Sequence, residues 1–171
     1  MEHKKIIVLG CSGSGKSTLS KKLGEILNIR VIHLDKLYWN ENWVPVSLEE
    51  FDKRLDFEMS KESWIIDGNF GRTIPKRLER CDTVIYLDYK RRVCIRGALK
   101  RFITNFGKTR SDMGKGCIEK IDIEFLSWIW NFNKNYRIEY LKMIKESKGK
   151  DIYIVSSRKE GEELLNKFKR G

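Results

Sequence analysis

The stretch Gly10-Cys-Ser-Gly-Ser-Gly-Lys16-Ser17 matches a Walker A loop at every constrained position. In such a loop, glycines let backbone N–H groups turn inward around phosphate oxygens, the lysine neutralises phosphate charge and the serine can bind Mg²⁺. The loop lies between an apolar run at residues 5–9 and an amphipathic stretch at 16–27, which is the strand–loop–helix context that the motif requires. The pattern predicts a nucleoside-triphosphate site built from Gly10, Ser12, Gly13, Ser14, Gly15, Lys16, Ser17 and Thr18.

Short β-branched runs alternate with longer amphipathic stretches along the rest of the chain. Strands are predicted at residues 5–9, 30–34, 63–67, 83–87 and 151–155. Helices are predicted at residues 16–27, 47–61, 90–106, 120–146 and 159–169, the second of them opened by a capping box of Ser47 and Glu50. This alternation indicates a three-layer α/β domain with a parallel sheet. The 171 residues show neither a repeat nor a low-complexity linker, so we expect a single domain.

The composition favours a cytoplasmic protein with an anionic ligand. Lys and Arg number 35 against 24 Asp and Glu, and the formal net charge of +11 implies a nucleic acid, a membrane surface or a phosphorylated small molecule as partner. The four cysteines are scattered and lack a Cys-x-x-Cys pair, so we expect reduced thiols and no zinc site. No run approaches the roughly 20 apolar residues of a membrane span, so no membrane partner is expected.

The end of the third predicted strand supplies a candidate magnesium ligand. Asp67 closes Trp64-Ile-Ile-Asp67 in the manner of a Walker B element, and Gly68 follows it where a hydrolytic ATPase would have a glutamate. Asp67 is therefore expected to bind Mg²⁺ with Ser17, and a helix N-cap is the alternative. The missing second acid favours phosphoryl transfer to an acceptor over hydrolysis.

The segment that follows this strand resembles a known kinase segment. Asp67-Gly-Asn-Phe-Gly-Arg72-Thr-Ile-Pro75 is similar to the Asp-Gly-Phe-Pro-Arg-Thr segment of adenylate kinase-like P-loop kinases, with one extra residue before the arginine. The resemblance implies a five-stranded sheet in the order 2-3-1-4-5 and a closing lid. It also implies ATP and Mg²⁺ as cofactors, and it gives Arg72 the role of gripping a phosphate of the acceptor.

A second resemblance covers essentially the whole chain. Residues 7–17, 33–39, 107–113 and 125–131 resemble the corresponding segments of the bacterial DNA topology modulation (FlaR-type) proteins. That family name concerns an influence on DNA supercoiling, and it specifies no reaction.

The second predicted strand leads into a candidate acceptor site. Asp35 follows this strand, at the edge where open α/β sheets hold ligands. Asp35-Lys-Leu-Tyr38 is similar to the Asp-x-Phe-Tyr segment of uridine kinases, which makes Asp35 a candidate general base or acceptor anchor, with a turn cap as the alternative. Tyr38 and Trp39 would form an aromatic wall or belong to the core. A carboxylate base suits a hydroxyl acceptor and Arg72 suits a phosphate acceptor, and the sequence leaves both open.

Most of the positive charge lies in a window that we expect to form a basic lid. Residues 89–120 contain ten Lys and Arg but only Asp112 and Glu119 as acids, a net charge of +8. Several cations over a triphosphate are the usual equipment of phosphoryl transfer.

Single cations of this part of the chain acquire roles by resemblance to adenylate kinases. Arg96 would stack on adenine, Arg101 or Lys100 would reach the phosphates, and Arg110 would act as an arginine finger. Two cations further along are weaker candidates for nucleotide contacts, with ordinary surface positions as the alternative: Arg137 and Arg158.

These patterns predict a kinase that transfers the ATP γ-phosphate to a small molecule, a nucleoside or nucleotide, with four catalytic residues: Lys16, Asp35, Arg101 and Arg110. The alternative is a DNA-interacting regulatory ATP-binding protein that affects DNA topology. Nucleic acid is the secondary expectation, because the charge is concentrated on the lid and no nucleic-acid-binding module is recognisable.

Overall fold

Parallel pairing of five strands forms the centre of the computed structural model, which describes residues 3–119 and 122–170. The strands are β1 (Lys5–Gly10), β2 (Val31–His33), β3 (Trp64–Asp67), β4 (Thr83–Leu87) and β5 (Asp151–Val155). They form one sheet in the order β2-β3-β1-β4-β5, which confirms the predicted order.

Helices fill the connections between the strands. They are α1 (Lys16–Leu27), α2 (Leu34–Tyr38), α3 (Leu48–Met59), α4 (Ile74–Arg80), α5 (Arg91–Asn105), α6 (Ile123–Phe132), α7 (Ile138–Glu146) and α8 (Arg158–Arg170). Right-handed crossovers between parallel strands place α1 on one face of the sheet and α3 and α4 on the other, and α8 contacts α1 directly. None of the described helices has the length and apolar character needed to cross a membrane.

The long helix predicted at 120–146 is interrupted. A π-helical turn at Asn133–Arg137 separates α6 from α7, and the predicted first residue, Lys120, lies outside the described residues. The apolar side chains spaced along α6 face the core, since Ile129 and Phe132 are fully buried.

The pattern of apolar residues explains why β1 lies in the middle of the sheet. Residues 6–9 of β1 have no solvent exposure, as expected for a central parallel strand covered by helices on both faces. The register aligns Val8 and His33 with Asp67, and Gly10 with Leu87. The carboxyl ends of β1, β2, β3 and β4 therefore meet at one edge, where the predicted site residues follow.

A buried arginine on α4 fixes the loop after β3. Arg77 has no solvent exposure, and its guanidinium donates hydrogen bonds to the backbone oxygens of Gly68 (2.8 Å) and Asn69 and to Thr73 Oγ1 (3.1 Å). Burial lowers the pKa of Arg77 to about 10, so the side chain stays cationic at neutral pH. The loop that follows Asp67, the candidate magnesium ligand, is thus held through its backbone by the side chain of Arg77.

Replacing this arginine is expected to destabilise the fold. Arg77→Met keeps the length of the side chain but leaves the carbonyl oxygens of Gly68 and Asn69 without their donor, at a cost of about 2–4 kcal/mol in the free energy of unfolding. Urea denaturation measures this loss. The matched control is Arg80→Met, because Arg80 is exposed and its 3.5 Å ion pair with Asp56 should contribute less than about 1 kcal/mol. Equal losses in the two variants would contradict the role of Arg77.

Candidate active site

A cavity of about 630 Å³ opens where the strands end. Its walls come from the loop between β1 and α1, the ends of β2 and β3, the inner face of α5, the segment after α5 and the start of α8. Parallel sheets bind ligands at this edge, so the cavity is the candidate active site.

The predicted Walker A loop forms the floor of the cavity. Residues 12–18 line it, while Gly10 lies beneath the loop as the last residue of β1. Gly13 and Gly15 have φ values of 77° and 97°, a left-handed conformation that favours glycine. A side chain at Gly13 would also collide with the backbone of Cys94 on α5. Lys16 opens α1, and its Nζ donates a hydrogen bond to the Cys11 backbone oxygen at 3.0 Å.

A side-chain amide holds the base of this loop. Asn69 Oδ1 accepts a hydrogen bond from the Gly10 N–H (3.1 Å), and Asn69 Nδ2 donates one to the Gly10 carbonyl oxygen (2.8 Å). The backbone of Asn69 is itself held by Arg77. Hydrogen bonds therefore connect the Walker A loop to the loop after β3.

Aspartates from two strand ends meet beside Lys16. Asp67 is the last residue of β3, so the alternative of a helix N-cap does not apply. It is 4% exposed, and its Oδ2 lies 2.9 Å from His33 Nδ1. Its other oxygen, Oδ1, is buried and has no hydrogen-bond partner among the described residues. Asp35, in the first turn of α2, lines the same cavity.

The surroundings of Asp35 make its carboxyl group a weaker acid than an ordinary aspartate. Asp35 is exposed to the open cavity, but the protein around its carboxyl group partly desolvates it, and this desolvation raises its pKa above the ordinary value. The negative charge of Asp67 raises the pKa further, while Lys16 and Arg110 partly offset the rise. A carboxyl group with a raised pKa in a cleft has the character of a general base.

The roof of the cavity is residues 106–119, which we call the lid loop. Arg110 on this loop lies 2.6 Å (Nε) from Glu119 Oε2 and donates from its Nη1 to Asp112 Oδ2 at 3.1 Å. Arg101 on α5 donates to Glu119 Oε1 at 2.8 Å and to the Ser12 hydroxyl in the Walker A loop at 3.3 Å. The two lid acids are thus the buried partners of the two predicted catalytic arginines.

The predicted lid window of 89–120 divides into two parts. Over its first part, α5 is packed onto the Walker A loop through Cys94 and Gly97, whose close approach leaves no room for a side chain at Gly97. The second part includes the lid loop, of which residues 108–112 line the cavity, and Lys120 lies outside the described residues.

Two predicted nucleotide contacts on helices do not reach the cavity wall. Arg96 is exposed, because the inner face of α5 is formed by Gly97, Lys100, Arg101 and Thr104. Arg137 is paired through two contacts of 2.6 Å with Asp88. Arg158, at the start of α8, does line the cavity.

Three predicted acceptor residues also lie outside the cavity wall. Arg72 is exposed and makes a bidentate ion pair with Asp52 on α3, at 2.8 and 2.9 Å. Tyr38 packs edge-on against Phe51, Phe70 and the ring of Trp39, and Trp39 packs against Trp43. The contacts of Tyr38 fit the core alternative, whereas Trp39 contacts the rings of Tyr38 and Trp43 at the margin of the core. The geometry gives no support to a phosphate grip by Arg72.

Four residues of the site were missed in the sequence: His33, Asn69, Asp112 and Glu119. The signal for His33 was its place at the end of β2, in register with Asp67. The signal for Asp112 and Glu119 was their isolation in a basic window, since a few acids among many cations tend to be paired. Asn69 carried no comparable signal, because its contact to Gly10 depends on the loop conformation.

The residues present fit a magnesium ion brought with a triphosphate. The described residues hold no group of three or more His, Cys, Asp and Glu side chains that would bind a metal unaided. Mg²⁺, however, keeps several waters and typically takes one or two carboxylates and phosphate oxygens. Ser17 and Asp67 both line the cavity, and the Asp67 carboxylate has one buried oxygen, Oδ1, without a hydrogen-bond partner among the described residues, so the two side chains match that requirement.

Solved structures with the same fold include kinases of small molecules. They include a shikimate kinase from Bacteroides thetaiotaomicron, with a TM-score of 0.59 and 18% identity over 96% of this chain and 95% of that one. A gluconokinase from Sinorhizobium meliloti has a TM-score of 0.56 and 17% identity over 98% and 92%. A deoxyadenosine kinase from M. mycoides, with bound dATP, has a TM-score of 0.57 and 18% identity over 95% and 97%.

No protein-family model and no curated protein sequence matches the chain. The structural comparisons show that the chain has the fold of P-loop kinases. They do not show the FlaR-type resemblance that the sequence indicated.

Proposed function

We propose that this protein is a kinase that transfers the γ-phosphate of Mg·ATP to an alcohol hydroxyl of a small metabolite, such as a nucleoside or a sugar-like polyol. The observation that carries the proposal is the meeting of Lys16, Ser17 and Asp35 on the wall of one cavity. Phosphate binding and proton acceptance are thereby available at the same place.

The donor side of the cavity suits a nucleoside triphosphate. The Walker A loop offers its backbone N–H groups and the N-terminus of α1, which favour phosphate oxygens. Lys16, Arg101 and Arg110 supply three cations around it. Ser17 and Asp67 are the residues that would hold Mg²⁺, which neutralises charge on the β- and γ-phosphates when it is bound.

The acceptor side suits a hydroxyl group better than a phosphate. The carboxylates of Asp35 and Asp67 lie on this wall, and two negative charges disfavour a second anionic phosphate group. Arg72, the cation predicted to grip such a phosphate, is engaged with Asp52 away from the cavity. The compounds named in the three structural neighbours, shikimate, gluconate and deoxyadenosine, all carry alcohol hydroxyls.

The chemistry follows from these positions. Asp35 accepts the proton of the attacking hydroxyl as its oxygen bonds to the γ-phosphorus and the bond to the ADP oxygen breaks. Lys16 and Arg110 stabilise the charge that spreads over the transferred group. The lid loop over the cavity excludes water, which would otherwise receive the phosphoryl group.

The cavity volume agrees with two small ligands. About 630 Å³ lies within the range of small-molecule sites, roughly 300–1,000 Å³. Duplex DNA would instead bind a broad exposed basic surface, with an affinity that falls steeply with salt. Arg101 on α5 and Arg110 on the lid loop are half-buried and paired with Asp112 and Glu119 inside the molecule, so they favour the small-molecule proposal.

Matched pairs of acceptors test the proposal. Each alcohol, for example deoxyadenosine, gluconate or shikimate, is assayed beside its phosphorylated counterpart, and ADP release is followed in a coupled assay. We expect turnover with at least one alcohol and none with its counterpart. Turnover with nucleoside monophosphates alone would refute the hydroxyl acceptor, and ADP release that depends on duplex DNA would favour the regulatory alternative.

A further inference from the structure

One buried carboxylate holds the two arginines that are predicted to be catalytic. Glu119, at the end of the lid loop, is 6% exposed. Its Oε1 accepts a hydrogen bond from Arg101 Nε at 2.8 Å, and its Oε2 forms an ion pair of 2.6 Å with Arg110 Nε. Arg101 belongs to α5 and Arg110 to the first half of the lid loop, so Glu119 joins two separate parts of the chain.

The carboxylate of Glu119 lies behind the two arginines. Among the described residues, Arg101 and Arg110 line the cavity and Glu119 does not. Each arginine contacts Glu119 through its Nε, and the Nη1 groups have other partners: that of Arg101 donates to the Ser12 hydroxyl at 3.3 Å and that of Arg110 to Asp112 Oδ2 at 3.1 Å. Glu119 is therefore placed to act on a ligand through the arginines and not by contact.

Two like charges at one cavity wall need a counter-charge between them. Burial lowers the pKa of Arg101, the positive charge of Arg110 lowers it further, and the carboxylate of Glu119 opposes both effects. Without that carboxylate, the two guanidinium groups would repel each other where bulk water screens them poorly. Glu119 thus keeps both cations at the cavity wall before a triphosphate arrives.

The backbone fixes the position of Glu119. Its N–H donates to the Lys108 backbone oxygen at 3.2 Å, next to the antiparallel bridge between Thr109 and Ile118. The Ile118 carbonyl oxygen also accepts a hydrogen bond from Trp43 Nε1 at 3.0 Å. Because the two ends of the lid loop are paired in this way, the carboxylate reaches both arginines from a supported site.

From these contacts we propose that Glu119 is a positioning residue, which holds the guanidinium groups of Arg101 and Arg110 in place for the phosphates of ATP. The inference deepens the proposed function and rests on it, since it assumes that a triphosphate occupies the cavity. Cations that are already in place when charge spreads over the transferred group increase kcat. A carboxylate close to the triphosphate does not increase affinity, because the two negative charges repel each other.

The split between turnover and binding tests this role. Glu119→Gln keeps the size of the side chain and removes its charge. With the best alcohol of the acceptor panel, we expect kcat to fall about 100-fold, as misplaced catalytic groups commonly cause. The affinity for the non-hydrolysable analogue AMP-PNP should be unchanged or higher, because one negative charge near the triphosphate is gone. General damage to the fold would instead lower the affinity together with kcat.

The matched control is an exposed acid beside the same loop. Glu41 contacts the lid loop through an ion pair of 3.8 Å with Lys115, and it does not line the cavity. Glu41→Gln removes the same charge at the outer side of the loop. It should keep the wild-type kcat and the wild-type affinity for AMP-PNP.

Chemical modification of arginine gives a second readout, which needs no turnover. Phenylglyoxal reacts with accessible guanidinium groups, and mass spectrometry measures the extent of reaction at each arginine. We expect Arg101 and Arg110 to react slowly in the wild type and several-fold faster in Glu119→Gln. Arg96, which is exposed on α5, should react equally in both proteins.

The outcomes separate this inference from the proposed function. An unchanged kcat in Glu119→Gln would overturn the positioning role, and so would a fall in kcat with an equal loss of AMP-PNP affinity. Unchanged reactivity of both arginines would overturn it too. In each of these cases the wild type remains active. If the wild type neither turned over an alcohol nor bound AMP-PNP, the proposed function would fail, and the inference with it.

Discussion

Lys16→Ala is expected to lower phosphoryl transfer by about 1,000-fold or more, because this lysine supplies a charge-assisted contact to the phosphoryl group as it is transferred. In the free protein its Nζ donates to the backbone of the Walker A loop at 3.0 Å. The bond preorganises the amine at the floor of the cavity. The loss should appear mainly in kcat with the best alcohol of the acceptor panel.

The control for this variant is a lysine of similar chemistry outside the cavity. Lys53 on α3 is exposed and pairs with Glu49 at 2.7 Å, so Lys53→Ala should retain the wild-type kcat. Circular dichroism of both variants verifies the fold. If the activity of the Lys16→Ala protein stayed within a few-fold of the wild type, the Walker A loop would have no role in phosphoryl transfer.

Asp35→Asn is expected to lower kcat by about 100-fold to 10,000-fold, the usual contribution of a positioned general base. Binding of AMP-PNP should stay close to that of the wild type, because Asp35 lies on the acceptor side of the cavity. Replacing a desolvated carboxylate beside Asp67 with a neutral amide removes a repulsion. The unfolding temperature of the variant should therefore be no lower than that of the wild type.

The pH dependence of the wild-type kcat/KM should also report the ionisation of Asp35. Asp35 accepts a proton only when it is ionised, so kcat/KM should rise with pH through its pKa and level off above it. Because that pKa is raised in the folded protein, the acidic limb should lie above the value of about 4 of an ordinary aspartate. Asp52→Asn, which breaks only the pair with Arg72, should keep this profile. An unchanged kcat in Asp35→Asn would exclude Asp35 as the base.

The parallel sheet and the floor of the site could be predicted from the sequence because they depend on local patterns, whereas the order of the strands was implied by the resemblance to adenylate kinase-like kinases. Apolar runs with helical stretches between them specify a parallel sheet, and the spacing of glycines around Lys16 specifies the phosphate loop. Asp35 and Asp67 were found because ligands gather where parallel strands end. The phosphate loop, Asp35 and Asp67 all lie within a few residues of the end of a strand.

Contacts between distant segments could not be predicted in this way. The charge count over residues 89–120 indicated a basic lid, but it did not reveal that Glu119 would bind both Arg101 and Arg110. The resemblance to adenylate kinases assigned Arg96 to the adenine, whereas Arg96 is exposed on α5 and its neighbour Gly97 is the residue that packs on the Walker A loop. The extra residue before Arg72 accompanies a side chain that pairs with Asp52 instead of entering the cavity.

The most direct test of the proposed kinase activity follows the γ-phosphate of ATP. ATP labelled with ¹⁸O in that group is incubated with a deproteinised metabolite extract and the protein, and the labelled products are identified by mass spectrometry. We predict a labelled phosphomonoester of an alcohol that forms with the wild type and is lost with both Lys16→Ala and Asp35→Asn. Label that appears only in inorganic phosphate, in equal amounts with the wild type and the two variants, would contradict the proposal.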